Sequence, residues 1–114
     1  METDSHSREE RAARNQALFR GVNERLEGLA KAFETIAGIE SAFTCECADL
    51  HCLGHVSLTV DEYEAVRRYP NRFFVLPGHV YPDVEIVVSE NERFVVVDKT
   101  GVAAQIARAE DPRD

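Results

Sequence analysis

The chain has 114 residues and a formal net charge of −8, and apolar residues make up 44% of it. This length fits one domain with a modest core, and the absence of any apolar run of about 20 residues predicts that no helix crosses a membrane. Acidic residues outnumber basic ones by two to one in residues 38–114, so nonspecific binding of this part to nucleic acid is not expected. The charged segment 1–20 has no apolar signal-peptide core, so we expect a cytosolic protein whose thiols stay reduced.

Residues 8–37 are predicted to form one long amphipathic helix, ended by Gly38. Apolar side chains recur along it at steps of three and four residues, which is the period of one helix face. This apolar stripe consists of Leu18, Val22, Leu26, Leu29, Phe33 and Ile36. The stripe also fits the a and d positions of a coiled coil, so it either packs on the rest of the domain or associates with a second copy or a partner's helix. We favour association, because a domain of this size is not expected to cover the whole stripe.

The rest of the chain predicts short strands and small helices. Extended segments are expected at 42–47, 55–60 and 73–76, and a β-hairpin is expected to pair 84–88 with 94–97. Thr59 and Glu62 form a capping box that begins a helix. Thr100 is placed to cap a last helix over 101–109. Short strands and helices behind one long helix indicate an α+β fold.

All three cysteines, Cys45, Cys47 and Cys52, lie within eight residues. Cys45 and Cys47 are two residues apart, so on a strand their side chains leave the same face and both sulfurs can point at one metal ion. An odd number of cysteines in a reducing compartment fits a metal site better than a set of disulfides. Three thiolates completed by a neutral imidazole are a ligand set typical of zinc.

A histidine is the expected fourth ligand. His51 is adjacent to Cys52, and neighbouring residues rarely bind the same ion. His55 is available if a strand begins just after the cysteines. His79 follows Pro77-Gly78, a turn expected to be type II, which can direct its side chain back at the cysteines. His79 is the better candidate, and the predicted metal ligands are therefore Cys45, Cys47, Cys52 and His79.

Several segments resemble a family of short, uncharacterised bacterial proteins. They are Phe43-Thr44-Cys45-Glu46-Cys47 with Cys52, Leu58 to Arg67, Arg72 to Val75, and Pro77-Gly78-His79, within a match from about Arg11 to Arg113. The family pattern has a glycine directly after its second cysteine, where this chain has Ala48, so the turn there is expected to differ. The pattern includes Pro-Gly-His, so the resemblance implies that His79 is the fourth ligand. It implies no reaction.

The sequence thus predicts an N-terminal helix (1–38) and a small zinc-stapled α+β domain (39–114), expected to form one structural unit. We expect a small cytosolic regulatory or adaptor protein that contacts a protein partner, or a second copy, through the helix. Its Zn²⁺ is expected to be structural.

No catalytic residue is assigned. The chain has no glycine-rich phosphate loop and no His-Glu-x-x-His motif, and three thiolates make zinc a poor Lewis acid. One alternative is a redox-sensing zinc–thiolate switch, in which oxidation of the ligands releases the metal. A less favoured alternative is a zinc-dependent hydrolase that uses Glu46 or Asp49 as acid or base. Both carboxylates are otherwise expected to be solvated loop charges.

Overall fold

The computed structural model describes residues 5–33, 40–47, 49 and 51–113. In chain order the elements are α1 (Ser5–Phe33), β1 (Glu40–Thr44), β2 (His55–Thr59), α2 (Val60–Arg67), β3 (Arg72–Val75), β4 (Glu85–Glu90), β5 (Val95–Lys99) and α3 (Gly101–Ala109). The predicted α+β fold is confirmed, since a long N-terminal helix precedes a small domain of antiparallel strands and short helices. None of the helices in these ranges combines the length and apolar character that a membrane span requires.

The strands form two antiparallel sheets. β1 and β2 pair with each other, with Phe43 opposite Val56. The second sheet has the order β3-β5-β4, so β5 is its central strand. β5 carries the run Val95–Val97, which is buried on both faces of the sheet, as expected for a central strand. The predicted hairpin corresponds to β4 and β5, with a register shift between Val87 and Ser89.

Three aromatic side chains join the two sheets to α2. The rings of Phe43 and Tyr63 are stacked with their centroids 4.8 Å apart. Phe74 meets both rings edge-on, at 6.2 and 5.9 Å. All three residues are fully buried, and stacked and edge-to-face aromatic pairs add to the free energy of burying their area. This cluster therefore fixes β1, β3 and α2 relative to one another.

The predicted cap of α2 is confirmed, and Thr100 occupies the predicted N-cap position of α3 without its capping hydrogen bond. The Glu62 N–H donates to Thr59 Oγ1 at 3.1 Å, and the Thr59 N–H donates to Glu62 Oε1 at 2.9 Å. The Thr100 side chain makes no capping hydrogen bond to α3. Its hydroxyl instead donates to the Val84 carbonyl at 3.2 Å. Thr100 therefore joins α3 to the segment before β4.

The buried face of α1 is not the predicted apolar stripe. Leu18 and Leu29 are 58% and 59% exposed, although Leu26 packs against the main core. The Phe33 side chain, Ile36 and Gly38 lie outside the described part of the chain. The buried positions of α1 are Ala13, Gln16, Arg20, Asn23 and Glu27. Through this mostly polar face α1 contacts β1, α2 and α3.

Candidate metal centre

Two of the three cysteines lie on an extension of β1. The Cys45 N–H donates to the Gly54 carbonyl at 3.0 Å, which continues the pairing of β1 with the chain that leads into β2. The Glu46 N–H donates to the Phe74 carbonyl at 3.1 Å, which attaches the same segment to β3. Side chains of an extended segment alternate between its faces. Cys45 and Cys47 therefore leave one face, and Glu46 leaves the other.

Two turns bring in the remaining ligands. The Asp49 carbonyl accepts the Cys52 N–H at 3.0 Å, and the Asp49 carboxylate accepts the His51 N–H at 2.9 Å. This turn directs Cys52 back toward the first two cysteines. The His79 N–H donates to the Leu76 carbonyl at 3.0 Å across a turn in which Gly78 has a φ of 87°. A hydrogen-bonded turn with a positive φ at its third residue is the type II turn that the sequence predicts.

The four predicted ligands meet at one point. The Sγ atoms of the three cysteines and a ring nitrogen of His79 all lie within 4.8 Å of one another. His79 Nδ1 is 3.7 Å from Cys45 Sγ and 3.6 Å from Cys52 Sγ. Zinc–ligand distances of about 2.3 Å to sulfur and about 2.0–2.1 Å to nitrogen place the two atoms about 3.6 Å apart in a tetrahedron. This group can hold a metal ion, and His55 is exposed and not part of it.

Backbone donors stabilise the charged form of the thiols. The Leu76 N–H donates to Cys45 Sγ at 3.2 Å, and the Gly54 N–H lies 3.4 Å from Cys52 Sγ. Such bonds favour the thiolate, which is the form that binds metal. The hydrogen bond with Cys45 lowers the pKa of Cys47 to about 5, and the same bond raises the pKa of Cys45. Cys47 is therefore the thiol that loses its proton most readily, and a metal ion would displace the thiol protons that remain.

Gly54 leaves room beside this group for the side chain of Leu76, and nothing in its local sequence predicted this. A Cβ added at Gly54 would overlap the side chain of Leu76 and lie 3.4 Å from Cys52 Sγ. Any larger residue would therefore require the Leu76 side chain or the Gly54 backbone to shift. The requirement comes from Leu76, which is distant in the chain, so spacing alone could not reveal it.

Glu46 is buried, so the expectation that it is a solvated loop charge is wrong. Its carboxylate forms a bidentate ion pair with Arg20, with both contacts at 2.8 Å. It also accepts from Asn23 Nδ2 at 2.9 Å and from the Phe74 N–H at 3.4 Å. The Arg20 guanidinium is itself buried and lies 4.1 Å from the centre of the Phe73 ring. The residue between two predicted metal ligands therefore anchors α1.

Two further side chains of α1 bind the same segment. Gln16 Nε2 donates to the Glu46 carbonyl at 3.0 Å and to Glu85 Oε2 at 2.9 Å. The Asn23 amide binds both backbone groups of Thr44, accepting from its N–H at 2.8 Å and donating to its carbonyl at 2.9 Å. Gln16, Arg20, Asn23 and Glu46 are called the α1–Glu46 network below. This network explains why polar side chains of α1 are buried, since their partners lie on the segment that carries the cysteines.

A hollow of about 200 Å³ borders two of the four candidate ligands. It is lined by Cys47, Asp49, Gly78, His79 and Tyr81. A catalytic zinc needs an open coordination position that faces such a space. Of the three lining residues that can bind metal, Cys47 and His79 belong to the group of four protein donors and Asp49 does not. Of the two acids considered for hydrolysis, Glu46 points into the α1–Glu46 network, and only Asp49 lies beside the hollow.

No protein-family model, curated protein or solved structure matches the chain. The resemblance to the short bacterial family therefore stays a prediction. Ala48, which replaces the glycine of that family's pattern, lies outside the described residues. The case for function consequently depends on the geometry of the site itself.

Proposed function

We propose that the chain binds one Zn²⁺ ion through Cys45, Cys47, Cys52 and His79, and that the ion is structural. The spacing of the four donor atoms carries this proposal. Thiolate and imidazole donors in a tetrahedral set favour zinc over the hard ions Mg²⁺ and Ca²⁺. Iron–sulfur clusters of the usual kind take four cysteines. Four protein donors fill the coordination sphere, which is typical of structural and not of catalytic zinc.

The ion would join segments that lie far apart in the sequence. Three of its ligands lie between β1 and β2, and the fourth follows β3. Because Glu46 lies between Cys45 and Cys47, the same ion would hold the carboxylate that binds Arg20 of α1. Binding of zinc to the folded chain only would stabilise this arrangement by mass action. The metal is thereby expected to fix the position of α1 as well as that of the strands.

We infer further that the protein is a small cytosolic adaptor or regulator that acts through the outer face of α1. Leu18, Val22 and Leu29 are exposed on this face. The exposed charged residues beside them on this face are basic, namely Arg11, Arg14 and Arg25, of which Arg14 also pairs with Glu110 at 3.4 Å. Lys31 is exposed too but pairs with Glu27 and Glu64 on the inner side of the helix. Apolar side chains flanked by cations fit an amphipathic partner helix with acidic flanks. Two copies of this face would bring like charges together, so a protein partner is favoured over a homodimer.

Elemental analysis and thiol titration of the purified protein test the metal. We expect one zinc per chain and three thiols that react only after a chelator is added. Cys47→Ser should lose the metal and lower the melting temperature sharply, because a structural site contributes folding free energy. His79→Ala should weaken zinc binding, whereas His55→Ala is the matched control and should not. Metal-free protein with freely reactive thiols, or full zinc occupancy in His79→Ala, would contradict the proposal.

Paired substitutions on exposed leucines test the adaptor role. Leu29→Glu on α1 should leave the melting temperature unchanged but abolish capture of a partner from the native lysate. Leu53→Glu changes an exposed leucine outside α1 and should keep that partner. Equal capture by both variants would show that the partner does not bind through the outer face of α1.

The redox-switch alternative stays a prediction. Its test is whether dilute peroxide releases zinc and whether a thiol reductant then restores zinc binding.

A further inference from the structure

The edge strand β4 exposes three consecutive apolar residues. Ile86, Val87 and Val88 are 61%, 45% and 43% exposed. Within the described part of the chain β4 pairs with β5 alone, so its outer edge carries backbone N–H and C=O groups without a strand partner. Soluble proteins usually protect such an edge with charged residues, proline or a covering element. Among the residues that the structure describes, none of these protects Ile86–Ser89.

Both faces of β4 contribute to this surface. Val87 is opposite Val97, and Ile86 is opposite Asp98, so their side chains lie on different faces of the sheet. The register shift between Val87 and Ser89 falls at Val88. A bulge of this kind adds a residue to one strand and re-aims its side chains. Val88 and Ser89 accordingly both line one groove.

This groove has a volume of about 250 Å³ and runs between α2 and the sheet. Its apolar lining includes Val66 of α2 and Val88 of β4. Phe94, just before β5, and Val96, within β5, complete it. α2 has only eight residues and packs on β2 and β3. The sheet therefore extends past the helix, and the groove opens beside β4. A strand added at this edge would have a ready site for one of its apolar side chains.

The charges around β4 determine which partner fits. Glu90 and Glu92 are exposed at one end of the strand, and neither belongs to an ion pair in the described part of the chain. The nearest base, Arg93, is bound to Glu62 at 2.6 Å. A second copy paired antiparallel about Val87 and Val88 would place Glu90 opposite the other copy's Glu85, which is buried and bound to Lys99 at 2.6 Å. That pairing would offer the exposed carboxylates of Glu90 and Glu92 no cation, whereas a basic segment of a partner protein would.

We propose that β4 is a strand-addition site for an extended segment of a partner protein, apolar at alternating positions and basic at the end that lies beside Glu90 and Glu92. Main-chain hydrogen bonds to the outer edge of β4 would hold the segment, and the groove beside Val88 would select an apolar side chain. The basic end would meet Glu90 and Glu92. This surface is separate from the outer face of α1 and does not depend on the identity of the metal.

A synthetic strand tests the proposal on the full-length, zinc-loaded chain. The probe is a short peptide of alternating valine and threonine with lysine at both ends, N-methylated at alternate residues so that only one edge can pair. The matched control peptide has the same sequence but carries glutamate in place of lysine. We expect the lysine peptide to bind about tenfold more tightly at low salt, because the end beside Glu90 and Glu92 exchanges attraction for repulsion. NMR should show slowed amide exchange confined to residues 86–90.

Substitutions on β4 complete the experiment. Val88→Lys should weaken the lysine peptide at least tenfold, and Ile86→Lys is a second variant in case the first disturbs the fold. Leu53→Lys is the control and should bind as the wild type does. Glu90→Lys with Glu92→Lys should reverse the preference between the two peptides. Failure of the lysine peptide to bind, equal binding of both peptides, or a dimer that Val88→Lys dissociates in sedimentation would overturn the proposal.

Discussion

Replacing Arg20 with methionine should destabilise the protein by about 3–5 kcal/mol, because it leaves a buried carboxylate without its cationic partner. Arg20 is 2% exposed and Glu46 is fully buried, and their ion pair is bidentate. The Asn23 amide and the Phe74 N–H still donate to Glu46 in the variant, so the low end of the range applies. A domain of this size has about 5–15 kcal/mol of stability in total. A loss of 3 kcal/mol corresponds to a fall of about 12 °C in melting temperature.

Urea denaturation of the zinc-loaded protein measures this loss. Arg25→Met is the matched control, since it makes the same substitution on the solvent side of α1 and should change stability by less than about 0.5 kcal/mol. Glu46→Gln combined with Arg20→Met should cost less than the two single changes added together, since the double variant buries no unpaired charge. If Arg20→Met were no more destabilising than Arg25→Met, or if the double-mutant cycle were additive, the α1–Glu46 network would not hold the helix.

Three further substitutions probe other parts of the fold. Leu26→Glu should unfold the domain at low urea because Leu26 packs against the core. Leu29→Glu on the exposed face should not, and similar urea midpoints for the two variants would refute the assigned orientation of α1. Asp111→Ala removes hydrogen bonds to the buried Arg67 guanidinium and should lower stability by about 1–3 kcal/mol in the same assay. Burial raises the pKa of Glu27 from 4.5 to about 7, so the stability that this group contributes below pH 4.5 is lost as the pH rises through 7. Glu27→Gln does not titrate, and its melting temperature relative to wild type should therefore rise between pH 5 and pH 8; a constant difference would contradict the raised pKa.

Features set by short stretches of sequence were predictable. The Thr59–Glu62 capping box, the Pro77-Gly78 turn and the alternation of Cys45 and Cys47 each depend on neighbours within a few residues. These signals located α2, directed His79 toward the cysteines, and placed two thiols on one face. The α+β fold and the grouping of the four candidate ligands followed from them.

The buried face of α1 was not predictable from the same kind of signal. Gln16, Arg20, Asn23 and Glu27 recur at steps of four, three and four residues, but polar side chains at helical spacing usually mark a solvated face. Their burial depends on partners that lie far along the chain, such as Glu46 for Arg20 and Arg113 for Glu27. Hydrophobic periodicity therefore located the helix correctly but could not show which of its side chains face the domain. The burial of Glu46 could not be predicted for the same reason, because a carboxylate between two cysteines is buried only if a distant arginine pairs with it.

The polar inner face of α1 limits the ways in which this helix can move. A helix packed through leucines can slide or roll at modest energetic cost, since one apolar neighbour replaces another. Moving α1 by one helical turn, about 5.4 Å, would instead separate Arg20 from Glu46 and Asn23 from the backbone of Thr44. These directional bonds can form together in one register only. A protein bound to the outer face of α1 would consequently be held at a fixed distance and angle from the four ligands of the metal centre.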